Sequence, residues 1–260
     1  MSPFRSLLLF ILLTSIGSVY GHAQGLGSAE ISGRVKIAGK QEKLSRKRFY
    51  LIKGGLKDNK DLVDRLRAAQ IKSRDCFYTD MKASPQYICW LQAENCESPF
   101  CRTVAADDIP KVPEFQASYT KGMTQFKAAP DLAREWILVN MPPGLTSGFF
   151  KERRTLTETL LGTIKPLQSS MTDSVSVKAI FMDIPVALPE GKKTQTFLIS
   201  NILPIEFGTK SYLWACEVEI GPDKRSVVNL LLPEPNKPVK NCEVFVNDLK
   251  VCKTEACKAA

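Results

Sequence analysis

Residues 212–220 read Tyr212-Leu213-Trp214-Ala215-Cys216-Glu217-Val218-Glu219-Ile220. In an extended chain Tyr212, Trp214, Cys216, Val218 and Ile220 share one face, and Glu217 and Glu219 lie on the other. This period of two predicts a half-buried strand with Trp214 packed in a core around a disulfide. The same period extends outward. Gly221-Pro222-Asp223 predicts a turn, then a strand over 227–232. Upstream, a strand is predicted over 196–203, and Val175, Val177, Ala179 and Phe181 alternate with Ser176 and Lys178 in another. Residues 233–238, Pro-Glu-Pro-Asn-Lys-Pro, read as a stiff linker, with a short strand over 243–246 beyond it.

Before Pro166 the period changes. Asp58 or Asn59 can cap a helix carrying Leu62, Val63, Leu66 and Ala69 on one stripe. Residues 76–101 are expected to be loop and short helix tied by bridges. Phe115, Tyr119, Met123 and Phe126 fall at helical spacing after Pro113. A helix from Pro130 should turn Leu132, Trp136 and Val139 one way and stop at Met141-Pro142-Pro143-Gly144. A last helix carries Phe149, Leu156 and Leu160, with Gly162 as its C-terminal cap.

Strands return at the N-terminal end. One is predicted over 29–38, with Ile31, Gly33, Val35 and Ile37 on a common face, and a second over 48–52, broken by Gly54-Gly55. Two strands alone cannot bury a core. The expected class is therefore α+β: an antiparallel β-sandwich with a large helical, cysteine-containing insertion. Residues 24–54 supply its first strands, 55–165 the insertion, 166–232 the remainder of the sandwich, and 233–260 a linker and a disulfide-bridged tail. The alternative is two separate domains, one helical and one β.

Residues 1–23 read as a signal peptide: a positive start ending at Arg5, a short apolar core, and Gly21-His22-Ala23 as a small-x-small cleavage site. With cleavage after Ala23 the remaining 237 residues carry 35 basic and 27 acidic residues, a net +8, and no histidine. Triads, Cys-His pairs and imidazole metal sites are then excluded. The charge is mild, without the basic stripe of a nucleic-acid binder, and no later segment is long enough to span a membrane. The location expected is secreted or periplasmic.

Export makes the 8 cysteines disulfide candidates. They form two groups, Cys76, Cys89, Cys96, Cys101 and Cys216, Cys242, Cys252, Cys257. Pairing within each group gives the expectation Cys76–Cys89, Cys96–Cys101, Cys216–Cys242 and Cys252–Cys257. No C-x2-C step supports zinc or thiol-redox chemistry.

Ile31-Ser32-Gly33-Arg34-Val35 resembles the opening strand of carboxypeptidase regulatory-like (transthyretin-like) β-sandwich domains. Residues 197–204, followed by the strand from Tyr212 to Ile220, resemble that family's penultimate hairpin. Together these cover about 50 residues, and the chain departs from the family by its insertion, its cysteines and its lack of a tight Pro-Gly-x-Tyr turn. The resemblance implies a non-catalytic exported accessory or adhesive module and no active-site residues.

Three patterns carry candidate chemistry. Ser118-Tyr119-Thr120-Lys121 matches the S-x-x-K of histidine-free serine enzymes, but the companion Ser-Asp-Asn and Lys-Thr-Gly elements are missing. The pairs Asp107/Asp108 and Glu217/Glu219 would serve acid–base chemistry only if they faced one cleft. Lys43, Arg46, Lys47 and Arg48 form the densest basic cluster, a candidate contact for an anionic surface, with a solvated strand edge as the plainer reading. The sequence reading is an exported non-catalytic binding or envelope-interaction protein without cofactor or metal. Its partner would be an unknown protein or glycan, in the envelope or outside the cell. The alternative is a histidine-free hydrolase or transferase using Ser-Lys or paired carboxylates.

Overall fold

The computed structural model describes residues 24–37, 39–127, 129–188, 190–233, 239–250, 252 and 257. The signal-peptide segment and residues 234–238 of the linker lie outside the described residues.

The decisive stretch falls in β9 (Lys210–Ile220), which pairs antiparallel with β7 (Gln195–Ser200) on one side and β11 (Cys242–Asp248) on the other. β4 (Arg48–Lys53) pairs with β7, and β5 (Gln168–Met171) with β4, giving the order β11-β9-β7-β4-β5. A short β8 (Ile205–Phe207) also pairs with β9. The second sheet has the order β10-β1-β6, from β10 (Arg225–Asn229), β1 (Gln24–Ser32) and β6 (Lys178–Ala187). The row from Tyr212 to Ile220 faces this second sheet, where Phe49, Leu51, Phe181, Phe197 and Trp214 fill the core. Trp214 is fully buried, and its ring nitrogen donates to the Leu231 carbonyl at 2.8 Å. β4 thus comes from the N-terminal segment and sits between two later strands. The chain is an α+β sandwich with the helices inserted in it.

The opposite face of the larger sheet is also covered. Ile52, Leu198, Leu213 and Ala215 pack under Leu62, Val63 and Leu66 of α1 (Lys60–Ala68) and Leu160 of α8 (Gly148–Leu161). Arg65 Nε donates to the Leu160 carbonyl at 2.8 Å, joining the two helices where α8 ends at Gly162. Beyond this cover the row turns acidic, at Glu217 and Glu219. The architecture is therefore three layers: small sheet, large sheet, helices.

The rest of the insertion has its own core, built on Phe77, Tyr78, Tyr87, Trp90, Phe115 and Phe149. It comprises α2 (Arg74–Asp80), α3 (Pro85–Ala93), α4 (Pro113–Gln125), α5 (Pro130–Glu135), α6 (Ile137–Asn140) and α7 (Pro143–Thr146). The Ser73 and Ser84 hydroxyls cap α2 and α3 by accepting from the Cys76 and Tyr87 amides. The proline at the start of α3, α4, α5 and α7 supplies the fixed φ and missing donor that suit a first helical position.

Several expectations are corrected. The strand over 29–38 divides at Gly33: β1 stays in the small sheet, while β2 (Arg34–Ile37) forms a separate hairpin with β3 (Lys40–Lys43). β1 pairs parallel with β10, so the sandwich is antiparallel except at this pair. Residues 173–177 form a loop, with the Asp173 carboxylate accepting from the Val175 and Ser176 amides at 2.7 and 2.6 Å. β6 begins after that loop and runs to Ala187. Its register shifts against β1 between Gly27 and Ala29, and the buried residues change from Ala179 and Phe181 to Ile184 and Val186. The strand expected over 243–246 is present and longer, running over Cys242–Asp248 as an edge strand of the large sheet. Leu132, Trp136 and Val139 are exposed, and Ala133 and Ile137 are buried in their place.

The disulfides are Cys76–Cys252, Cys89–Cys257, Cys96–Cys101 and Cys216–Cys242. The first two and the last two follow different logic. Cys96–Cys101 and Cys216–Cys242 agree with local pairing, the latter as directly opposed residues of β9 and β11. Cys76–Cys89 and Cys252–Cys257 are overturned: the chain after β11 turns back onto α2 and α3, and each tail cysteine meets a helix, closing separations of 176 and 168 residues.

Candidate functional site

The basic cluster leads to a groove. Thr172 pins the turn that carries it: its carbonyl accepts from the Arg46 amide, its amide donates to the Lys47 carbonyl, and its hydroxyl accepts from the Lys47 amide, each at 2.9 Å. Arg46 and Arg48 are thereby held exposed, while Lys47 turns to ion-pair with Glu97 of the insertion. Arg46, Lys47 and Arg48 line one side of a groove of about 640 Å³ between the large sheet and α8. Lys43, at the end of β3, is exposed and does not line it.

The floor comes from the sheet. Phe49 faces the sandwich core, and Tyr50 faces the groove, where burial raises its phenol pKa against the lowering effect of Arg48. Glu206 of β8 accepts from the Arg74 amide at 2.9 Å, at the start of α2. Burial pushes the Glu206 carboxyl above its ordinary value, and the Arg74 amide, then Arg74 and Arg153, oppose the shift.

The far wall is α8. Arg153 follows Phe149 by one helical turn, so the stripe that buries Phe149 and Leu160 also buries a guanidinium, only 8% exposed. Arg153 Nη2 donates to the Lys72 carbonyl at 2.6 Å, and the guanidinium lies 4.7 Å from the centre of the Phe149 ring. Nη1 has no partner, and among the described residues no carboxylate oxygen lies within 4.0 Å of Arg153. Burial lowers its pKa, opposed by Glu206, Glu97 and Glu152 at longer range, but an arginine stays cationic in a protein. Five cationic side chains line the groove against three carboxylates.

The other candidates are not assembled into a site. Ser118 is 4% exposed on the buried stripe of α4 with Phe115 and Gly122, whereas Lys121 is exposed. Among the described residues no hydrogen bond joins them. Asp108 accepts from the Ala105 amide at 3.0 Å in a short turn. Glu217 accepts from the Leu56 amide at 3.0 Å, tying the segment before α1 to β9. Glu219 accepts from the Thr194 and Thr196 hydroxyls, which lower its pKa. These carboxylates are engaged in local structure. The eight cysteines are all in disulfides.

Sequence reasoning identified one side of the groove and missed Arg153, Arg154 and Glu206. A signal for Arg153 was present: a charge at i+4 from Phe149, on the apolar stripe of a predicted helix. Comparison of the chain with protein-family models, curated proteins and solved structures finds no match. Among the described residues no helix is long and apolar enough to cross a membrane.

Proposed function

We propose that this chain is an exported, non-catalytic binding protein, secreted or periplasmic, that uses the groove between α8 and the large sheet to hold part of a protein or glycan partner in the envelope or outside the cell. The groove carries this reading: a concavity of about 640 Å³, within the range of ligand sites, where a cysteine-stapled insertion meets the large sheet. The four disulfides support an oxidising compartment. The resemblance of residues 31–35 and 197–220 to carboxypeptidase regulatory-like domains supports an accessory module.

A photocrosslinking residue at Phe150 or Met171, both exposed on the groove, tests the reading in native extracts. A discrete adduct is expected from both positions and none from Val175, which is exposed outside the groove. Adducts of equal yield from all three positions, or from none, contradict it. Intact mass of the exported chain is expected to show loss of residues 1–23 and of eight hydrogens to four disulfides.

A further inference from the structure

The geometry points to an oxyanion carried on an apolar body, a carboxylate or phosphate attached to an alkyl or aromatic group, as the ligand of this groove. The inference rests on the binding reading above and supplies its chemistry. It starts from Arg153. A guanidinium removed from water is costly unless it is paired and hydrogen-bonded. Buried arginines therefore usually face a carboxylate or phosphate, which matches their donors two at a time. Arg153 has one carbonyl, one ring face and an unused Nη1.

Two of the neighbouring cations are also uncommitted. Among the described residues, the Arg46 and Arg154 side chains make no ion pair or hydrogen bond, and Arg48 donates to the Ser169 hydroxyl at 3.1 Å. The outer face of the small sheet shows the contrast: Lys178 and Arg225 both pair with the buried Glu30, at 2.8 and 2.6 Å. Two of the groove's three carboxylates are already engaged, Glu97 by Lys47 and Glu206 by the Arg74 amide. Glu158 is the third carboxylate, so the unmatched charge in the groove is positive on balance.

Most of the remaining lining is apolar, with Tyr50, Thr157 and Asn201 as its polar members. Phe150 and Met171 are 44% and 46% exposed on it, and Leu203 and Ile205 also line the groove. An inorganic anion would leave these groups wet, and a neutral amphiphile would leave Arg153 unpaired. A ligand with both parts satisfies both surfaces.

Isothermal titration of the full disulfide-bonded protein, below the micelle concentration of each probe, tests this. Dodecyl phosphate and dodecanoate are expected to bind, and inorganic phosphate and dodecyl maltoside to bind at least about tenfold more weakly. Arg153→Met is expected to weaken dodecyl phosphate by about tenfold or more, the worth of one charge-assisted hydrogen bond. Arg46→Ser with Arg154→Ser, both exposed and outside any core, should weaken it in the same direction and keeps the test intact if Arg153→Met does not fold. The inference is overturned if neither alkyl anion binds, if inorganic phosphate or the maltoside binds as well as they do, or if a folded variant binds like the wild type. Groove-specific adducts alongside such a result would leave the binding reading standing and remove only its oxyanion chemistry.

Discussion

The sandwich and the helical insertion satisfy their buried polar groups differently. In the sandwich, buried groups find partners: Trp214 Nε1 reaches Leu231, Asn201 accepts from the Trp214 amide at 2.8 Å, and Glu30 holds two cations. In the insertion they do not all do so. The buried side-chain atoms without a partner among the described residues are Trp90 Nε1, Arg102 Nε, Asn140 Nδ2 and Arg153 Nη1, all between residues 90 and 153. Each unsatisfied group opposes folding. The two long-range disulfides attach to the same region, at Cys76 and Cys89. The sandwich satisfies its buried groups, and the insertion tolerates local cost, at Arg153 in the groove wall and at three sites away from it, and is stapled by disulfides.

The largest expected effect is on the scaffold. Trp214→Ala should cost about 3–5 kcal/mol by urea denaturation, because it empties the centre of the sandwich and removes the bond to the Leu231 carbonyl. A cost under about 1 kcal/mol would break the claim that this core carries the fold. Removing one staple, by Cys76→Ser with Cys252→Ser, should cost about 2–4 kcal/mol. Hydrogen exchange should then rise in α2 and α3 while β7 and β9 stay protected. A uniform rise would mean that the two regions form one cooperative unit.

A smaller effect concerns pH. Burial raises the Glu206 carboxyl, so the folded chain holds its proton more tightly than the unfolded chain does. That contribution to stability is largest at acidic pH and is lost as pH rises from the unfolded value of 4.5 through the raised folded value. Glu206→Gln keeps an acceptor for the Arg74 amide and removes the titration. Its Tm relative to wild type should therefore increase between about pH 4 and pH 7. A parallel pair of profiles would show that Glu206 is not perturbed in the folded chain. The smallest effect is at Val139, exposed on the insertion, where Val139→Ser should change stability by no more than about 0.5 kcal/mol. A core-sized loss there would restore the apolar face that the sequence suggests.

The same contrast governs what the sequence reveals. The row from Tyr212 to Ile220 is legible because a strand buried on one side must alternate. β5 is missed because Gln168, Ser169 and Ser170 form a polar edge with no apolar alternation, and the β6 register shift changes its parity without a mark in composition. Within the insertion, apolar size misleads. α4 and α5 approach through Gly122 and Ala133, where a Cβ on Gly122 would lie 3.2 Å from the Ala133 Cα. The larger Leu132 and Trp136 are left outside. Cys96–Cys101 and Cys216–Cys242 are legible as local pairs, whereas Cys76–Cys252 and Cys89–Cys257 are not, because nearness in sequence is not nearness in space for the tail cysteines. For the groove, Arg46, Lys47 and Arg48 are visible as a run, whereas Arg153 joins them only through the packing of α8.

The central claim is that the sandwich serves as scaffold and the insertion's groove as the recognition surface. Hydrogen exchange of the intact protein with and without dodecyl phosphate tests it most directly. The account predicts added protection in α8, in residues 46–50 and in residues 201–206, with the β10-β1-β6 sheet unchanged. Protection confined to that small sheet, or absent throughout at saturating probe, would contradict it.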